Sequence, residues 1–206
     1  MTPPSAVAGS APDQVLPATT SSAASGQGEG PGAAGNPLVV GLDLSLTATG
    51  LAAMTPQRFR TCRISVEGSD ITRLRRLLNA IGPETEHATL VVLEGPSYGS
   101  VGAGTHERAG LWWLVRDMLW QQGVPTAIVP PSNLKKYAVG IGGGPKASKD
   151  AVLIAAARRW PTFEGRNDEA DALWLAAMGL DHLTGRSVVP EVNRLALKSC
   201  SWPVAA

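Results

Sequence analysis

Leu38-Val39-Val40-Gly41-Leu42-Asp43-Leu44 reads as a buried strand with one residue that does not belong in it. Aspartate is depleted in strands and costly to bury without a partner, so Asp43 needs a reason. A Ser/Thr turn follows, then Thr49 to Met54 reads as a second strand and Arg58 to Val66 as a third. Their short connections predict antiparallel neighbours. Asp70 is expected to cap a helix through Ile81, with Ile71, Leu74, Leu77, Leu78 and Ile81 on its inner face. Thr89 to Glu94 is a continuous apolar run of the kind buried on both faces, a fourth strand. Thr105 to Gln122 predicts a long helix stopped by Gly123 and Pro125, and Pro125 to Val129 a fifth strand. A short helix around Asn133 to Val139, a helix from Ser148 to Trp160, and a long helix capped by Asn167 and running to about Leu183 complete the chain. The order predicts an α/β fold, a mixed five-stranded sheet flanked by helices.

Composition sets the limits of that domain. The 206 residues are 44% hydrophobic and 17% charged, enough apolar content for one core. Residues 1–36 are mostly Ala, Gly, Ser, Pro and Thr, with no aromatic and only Asp13 and Glu29 as charges, a composition that predicts a disordered tail. The domain is expected over residues 37–185, followed by a C-terminal extension over 186–206. The net charge of +1 excludes a function that follows from charge alone. With the tail set aside, all 18 basic residues stand against 15 acids, a mildly basic body compatible with nucleic acid. Cys62 and Cys200 form no disulfide framework or zinc set, and His87, His106 and His182 show no ligand spacing. Any metal is therefore expected on carboxylates. Nothing reads as a spanning helix or a secretory signal, which predicts a cytoplasmic protein. The excess of arginine over lysine, with abundant Ala, Gly and Pro, points to a bacterium or bacteriophage.

Three further acids join Asp43. Glu94 closes the fourth predicted strand. Asp168 and Asp171 are three apart at the start of the last helix, on one face of one turn. That face continues with Ala172 and Leu175, so it turns toward the core, and Ala172 and Gly179 would let the helix approach the sheet closely. Asp168 alone would merely complement a helix N-terminus. Together the four predict a negative cluster that divalent cations would stabilise. Magnesium prefers carboxylates, water and substrate phosphate, and a pair of such ions suits phosphodiester hydrolysis.

Gly41-Leu42-Asp43-Leu44-Ser45-Leu46-Thr47-Ala48-Thr49-Gly50 resembles the first motif of RuvC-type Holliday-junction resolvases, members of the RNase H-like superfamily. Val91-Val92-Leu93-Glu94-Gly95 is similar to the second, and Asn167-Asp168-Glu169-Ala170-Asp171-Ala172-Leu173 to the final helix motif. Asn133-Leu134-Lys135-Lys136, Gly140-Ile141-Gly142 and Lys146 to Lys149 resemble the basic segment between them. The resemblance covers about residues 38–183. It implies an RNase H-like sheet, a homodimer, and Mg²⁺ or Mn²⁺, two ions per site, held by Asp43, Glu94, Asp168 and Asp171. It also implies that Lys149 and Lys135 contact substrate, Lys149 as part of the catalytic set. Asp43-Leu44-Ser45 departs from the family's usual Asp-Pro-Gly. Tyr98 stands one residue away from the family's junction-wedging aromatic, which implies a stacking role for it.

The remaining features agree with that reading. The glycine-rich loop before Lys146 is no phosphate loop, because Pro145 and Ala147 break the required pattern, and no nucleotide cofactor is expected. Lys135, Lys136, Lys146 and Lys149 are expected to bind DNA phosphates near the acids, which gives affinity without sequence readout. The helix 105–122 is apolar nearly all round, through Trp112, Trp113 and Trp120 beside Leu111, Leu114, Val115 and Met118. That pattern predicts sheet on one side and a partner subunit on the other. The leading expectation is a metal-dependent endonuclease that resolves four-way junctions in recombination and repair. Cleavage of other branched DNA or RNA–DNA hybrids, and a non-catalytic DNA-binding module, are the alternatives. An actin-like kinase would need two such domains.

Overall fold

The computed structural model describes residues 36–96 and 104–204 of the chain. Residues 1–35 of the tail, and Tyr98, lie outside them. Five strands form one sheet: β1 (Val39–Asp43), β2 (Thr49–Met54), β3 (Phe59–Ile64), β4 (Leu90–Glu94) and β5 (Thr126–Val129), in the order β3-β2-β1-β4-β5. β1 pairs antiparallel with β2, and β2 with β3, whereas β1, β4 and β5 run parallel. This is the mixed five-stranded sheet expected from the sequence.

Side chains alternate across the sheet and divide the core in two. Val40, Leu42, Leu51, Ala53, Val91 and Leu93 face α1 (Asp70–Thr85) and α2 (Thr105–Gln121). On the opposite side, Val39, Ala52, Leu90 and Val92 face α3 (Pro131–Val139), α4 (Lys149–Arg159) and α5 (Asn167–Thr184). Alternation puts Gly41, Asp43, Gly50, Arg63 and Glu94 on this second side as well.

The α5 helix lies hard against the sheet because glycines leave room for it. A Cβ at Gly41 would stand 2.1 Å from the Ala172 carbonyl oxygen, and one at Gly50 1.9 Å from that of Asp168. A Cβ at Gly179 would meet Val92 and Val39 at 2.6 and 2.7 Å. Covered by sheet on one side and by α3 and α4 on the other, α5 is buried almost continuously from Ala170 to Gly179. Trp174 Nε1 donates to the Val152 carbonyl at 3.2 Å and ties α4 to it.

Some local expectations are corrected. Asp70 begins α1 rather than capping it, with φ at 50°, a left-handed value that aspartate tolerates better than most residues. Ile71 is 58% exposed instead of inward, because α1 packs through Leu74, Leu77 and Ile81. The helix runs past Pro83 to Thr85, whose hydroxyl donates to the Gly82 carbonyl at 3.0 Å. Asn167 is the first residue of α5 rather than its cap. The first turn is closed by Glu169, whose carboxylate accepts from the Arg166 N–H at 3.0 Å.

Residues 186–204 pack onto the domain. A short helix, α6 (Glu191–Arg194), and a 3₁₀ turn (Leu195–Ser199) lie against α3, and Ser201 bridges Ile128 of β5. Arg194 reaches the buried Asp181 on α5, with Nη2 to Oδ1 at 2.8 Å, while the Tyr137 hydroxyl donates to Asp181 Oδ2 at 2.9 Å. Asn133 donates to the Ala196 carbonyl at 2.8 Å, and Trp202 stacks on His182 with ring centroids 4.0 Å apart. Among the described residues, no helix is long and apolar enough to cross a membrane.

Candidate active site

Parallel pairing of β1 with β4 puts Leu42 opposite Leu93, so Asp43 and Glu94 follow as the last residues of two adjacent strands. Both lie at the carboxyl ends of parallel strands, where open α/β sheets carry their ligands. The β1–β2 turn that holds Asp43 in place is fixed locally. Ser45 N–H donates to Thr49 Oγ1 at 3.1 Å, and that hydroxyl donates back to the Ser45 carbonyl at 2.9 Å. Glu94 is anchored from the far side of the sheet by Trp112, whose Nε1 donates to the Glu94 carbonyl at 3.1 Å.

The first turn of α5 brings the other two acids. Asp43 pairs with Gly50, and the Asp168 carbonyl fills the space that a side chain at Gly50 would take. Asp171, one turn on, is buried. Two lysines act on these acids from the helices, Lys135 on α3 and Lys149 at the start of α4. The Ser148 hydroxyl caps α4 by accepting from the Ala151 N–H at 3.2 Å.

Electrostatics bind the six residues into one site. Burial pushes the Asp43 carboxyl up to about 6, with Lys149 pulling it down and Asp168 raising it further. Burial pushes Glu94 up to about 8, aided by the charges of Asp43 and Asp171 and opposed by Lys149 and Lys135. Asp171 is driven to about 7 by burial and then by Asp43, again against the two lysines and with Asp168 adding to the rise. Among the described residues no hydrogen bond or ion pair engages the carboxylates of Asp43, Glu94 or Asp171. Buried acids without partners mark a functional cluster more often than a structural one.

The donor set is all carboxylate oxygen, with no histidine or thiolate, which fits a hard cation such as Mg²⁺ or Mn²⁺. It also carries the excess negative charge that such a cation would neutralise. Among the described residues no three acidic, histidine or cysteine side chains converge on one point at ligand distance. Magnesium commonly takes only one or two protein carboxylates and fills its remaining positions with water and phosphate.

The fold is shared with Thermus thermophilus RuvC, 16% identical, with a TM-score of 0.57 over 72% of this chain and 96% of that one. It is shared equally with the T. thermophilus RuvC structure determined in complex with a Holliday junction substrate, 17% identical, with a TM-score of 0.58 over the same shares. This chain has a RuvC-like resolvase fold. No family model matches the sequence, and neither does any curated protein.

Within that RuvC-like frame the predicted site residues separate. Asp43, Glu94, Asp168, Asp171, Lys149 and Lys135 form one electrostatically linked group. Lys136, next to Lys135 but exposed, lines a shallow cavity with Gly140, Leu195 and Ser199, toward the C-terminal segment. Lys146 is exposed on the 3₁₀ turn Pro145–Ala147 before α4. Tyr98 lies outside the described residues. One member of the site escaped sequence reasoning. Arg63 on β3 sits opposite Gly50, and its Nε donates to Asp168 Oδ2 at 3.4 Å. The signal was present in the alternation of Phe59, Thr61 and Arg63 on one face, but only the strand pairing aligns that face with Asp43.

Proposed function

We propose that this chain is a divalent-metal-dependent, structure-selective DNA endonuclease that resolves four-way (Holliday) junctions by hydrolysing phosphodiester bonds. The observation that carries the reading is the set of unpartnered carboxylates, Asp43 and Asp171 buried and Glu94 half-buried, joined by Asp168, at the strand ends of a RuvC-like fold. Asp43, Glu94, Asp168 and Asp171 would hold two Mg²⁺ or Mn²⁺ ions. Bound there, the ions supply an activated water and stabilise the leaving oxygen. The chain's own residues do the rest. The strand ends and the first turn of α5 fix the carboxylates relative to one another, and burial keeps their field unscreened. Lys149 and Lys135 bring positive charge to the phosphate being cut and offset the acids' repulsion of DNA. Lys136 and Lys146 extend phosphate contact along α3 and the loop before α4, and Tyr98 stacks on a junction base.

A four-way junction offers two symmetric strands, which a twofold dimer with two matching sites would cut together. The α2 helix suits such an interface. It buries Leu111, Val115 and Leu119 while Trp113 and Trp120, seven residues apart and so on one side, stand 66% and 79% exposed. Trp120→Asp should yield a monomer by light scattering that no longer makes paired cuts.

The decisive experiment incubates the purified chain with a synthetic four-way junction, with and without Mg²⁺. Paired nicks near the branch point only with Mg²⁺ support the proposal. Binding without cleavage under all conditions would reduce the chain to a DNA-binding module, and preferred cutting of flaps or RNA–DNA hybrids would change its substrate.

A further inference from the structure

Arg63, Gly50 and Asp43 form one row across β3, β2 and β1, all on the α5 side of the sheet. Adjacent strands lie about 4.8 Å apart, so Arg63 starts about 10 Å from Asp43 with only a glycine between them. Its guanidinium reaches Asp168 Oδ2 through a single Nε contact of 3.4 Å, and both side chains keep some solvent exposure, 37% and 25%. A bidentate Arg–carboxylate pair would be shorter and held by two parallel bonds. This contact is long, single and half-wet, a geometry that exchanges readily. Lys135 on α3 and Lys149 at the start of α4 act on the same acids from the helices, outside this row of strand residues.

We propose that Arg63 is an exchangeable counter-cation, which holds Asp168 while the carboxylate cluster lacks a divalent ion and turns to a DNA phosphate on the β3 flank once the ion takes Asp168. The proposal rests on the metal-dependent nuclease reading above and adds to it a residue and a phosphate contact at the β3 edge. Asp168 does not satisfy a guanidinium and a divalent ion equally, since two cations at one carboxylate repel each other. Once released, Arg63 projects from the edge strand beside the acid row. A DNA strand laid across that row carries phosphates on both sides of the one being cut. Lys149 and Lys135 serve some of these phosphates from the helices, and Arg63 serves one at the β3 edge.

The test uses the full chain with Arg63→Gln and Arg63→Lys, and reads binding rather than turnover. In Mn²⁺ titrations without DNA, Arg63→Gln should bind Mn²⁺ about threefold to fivefold more tightly than the wild type, the scale of one partly exposed ion pair. With Ca²⁺ as the divalent ion, the same variant should bind a four-way junction more weakly. Its plot of log affinity against log salt should lose about 0.9 of slope, one phosphate contact. With EDTA the two proteins should bind the junction alike, and Arg63→Lys should recover the lost slope. These opposite signs separate exchange from a purely structural role, which would weaken both kinds of binding together. Unchanged or weaker Mn²⁺ binding by Arg63→Gln, or an unchanged salt slope in Ca²⁺, would overturn the proposal while leaving the nuclease reading in place. A wild type that takes up no Mn²⁺ would overturn both.

Discussion

The α5 helix carries buried aspartates at both ends, and they are treated in opposite ways. At its C-terminal end Asp181 is fully enclosed and answered on every side, by two donors from Arg194 and by the Tyr137 hydroxyl. At its N-terminal end Asp171 is nearly as buried, yet meets Asp43, Asp168 and Glu94 with two lysines at the margin. A protein gains nothing in stability from the second arrangement, because unpaired buried charge is costly. Paired acid is structure; unpaired acid, held in place by glycines that admit the helix, is what the proposed cation site requires. The two ends of one helix therefore predict opposite phenotypes for the same chemical change.

Asp171→Asn should give the largest effect. Cleavage of a four-way junction should fall by at least about two orders of magnitude, as expected when charge stabilisation of a transition state is lost. The melting temperature should stay level or rise, since the substitution removes repulsion with Asp43. A stable variant with unimpaired cleavage would break the contrast at its functional end.

Arg194→Met should do the reverse. Removal of the partly exposed guanidinium leaves the buried Asp181 carboxylate without two of its donors, so the melting temperature should fall by several degrees. Cleavage at low temperature should persist. If Arg194→Met left the melting curve unchanged, the α6 segment would be an ornament on the domain rather than the partner of Asp181.

Proton linkage sharpens the comparison at smaller scale. In the metal-free protein Asp43, Asp171 and Glu94 sit at about 6, 7 and 8, all above ordinary carboxyl values. Acids raised on folding contribute stability that is complete below their unfolded values and is lost as pH climbs through the folded ones. The metal-free protein should therefore melt a few degrees higher at pH 5 than at pH 8.5. Saturating Mg²⁺ should cancel the trend, and Asp171→Asn should flatten it. A metal-free melting temperature that rises from pH 5 to 8.5 would contradict the cluster.

The smallest effect belongs to Glu169→Gln. Glu169 stands between the two site acids in sequence, but its carboxylate accepts from the Arg166 N–H, a bond that the glutamine carbonyl can keep. Both cleavage and melting should remain near wild type. A dead Glu169→Gln enzyme beside an active Asp168→Asn one would put the wrong face of α5 at the site.

These contrasts also show which parts of the molecule could be read before its structure. The strands, the order of helices and the four acids were legible because each broke or obeyed a local rule: Asp43 inside an apolar run, Glu94 at the end of another, Asp168 and Asp171 on one helical turn. Arg63 and Asp181 were not. Arg63 belongs to the site through a row across three strands, and Asp181 finds Arg194 13 residues later through a segment whose packing no periodicity announces. Ile71 fits the apolar spacing yet lies exposed, because the buried face of α1 begins only at Leu74. What depends on pairing across the fold is set by register and close packing, and these become visible only in three dimensions.

The most direct test follows Mn²⁺ uptake by the metal-free protein through the electron paramagnetic resonance of the free ion. The wild type should bind Mn²⁺, the double change Asp43→Asn with Asp171→Asn should abolish that binding, and Asp181→Asn should leave it intact. Equal Mn²⁺ binding by wild type and the double variant, or its loss in a folded Asp181→Asn protein, would contradict the assignment of the two ends of α5.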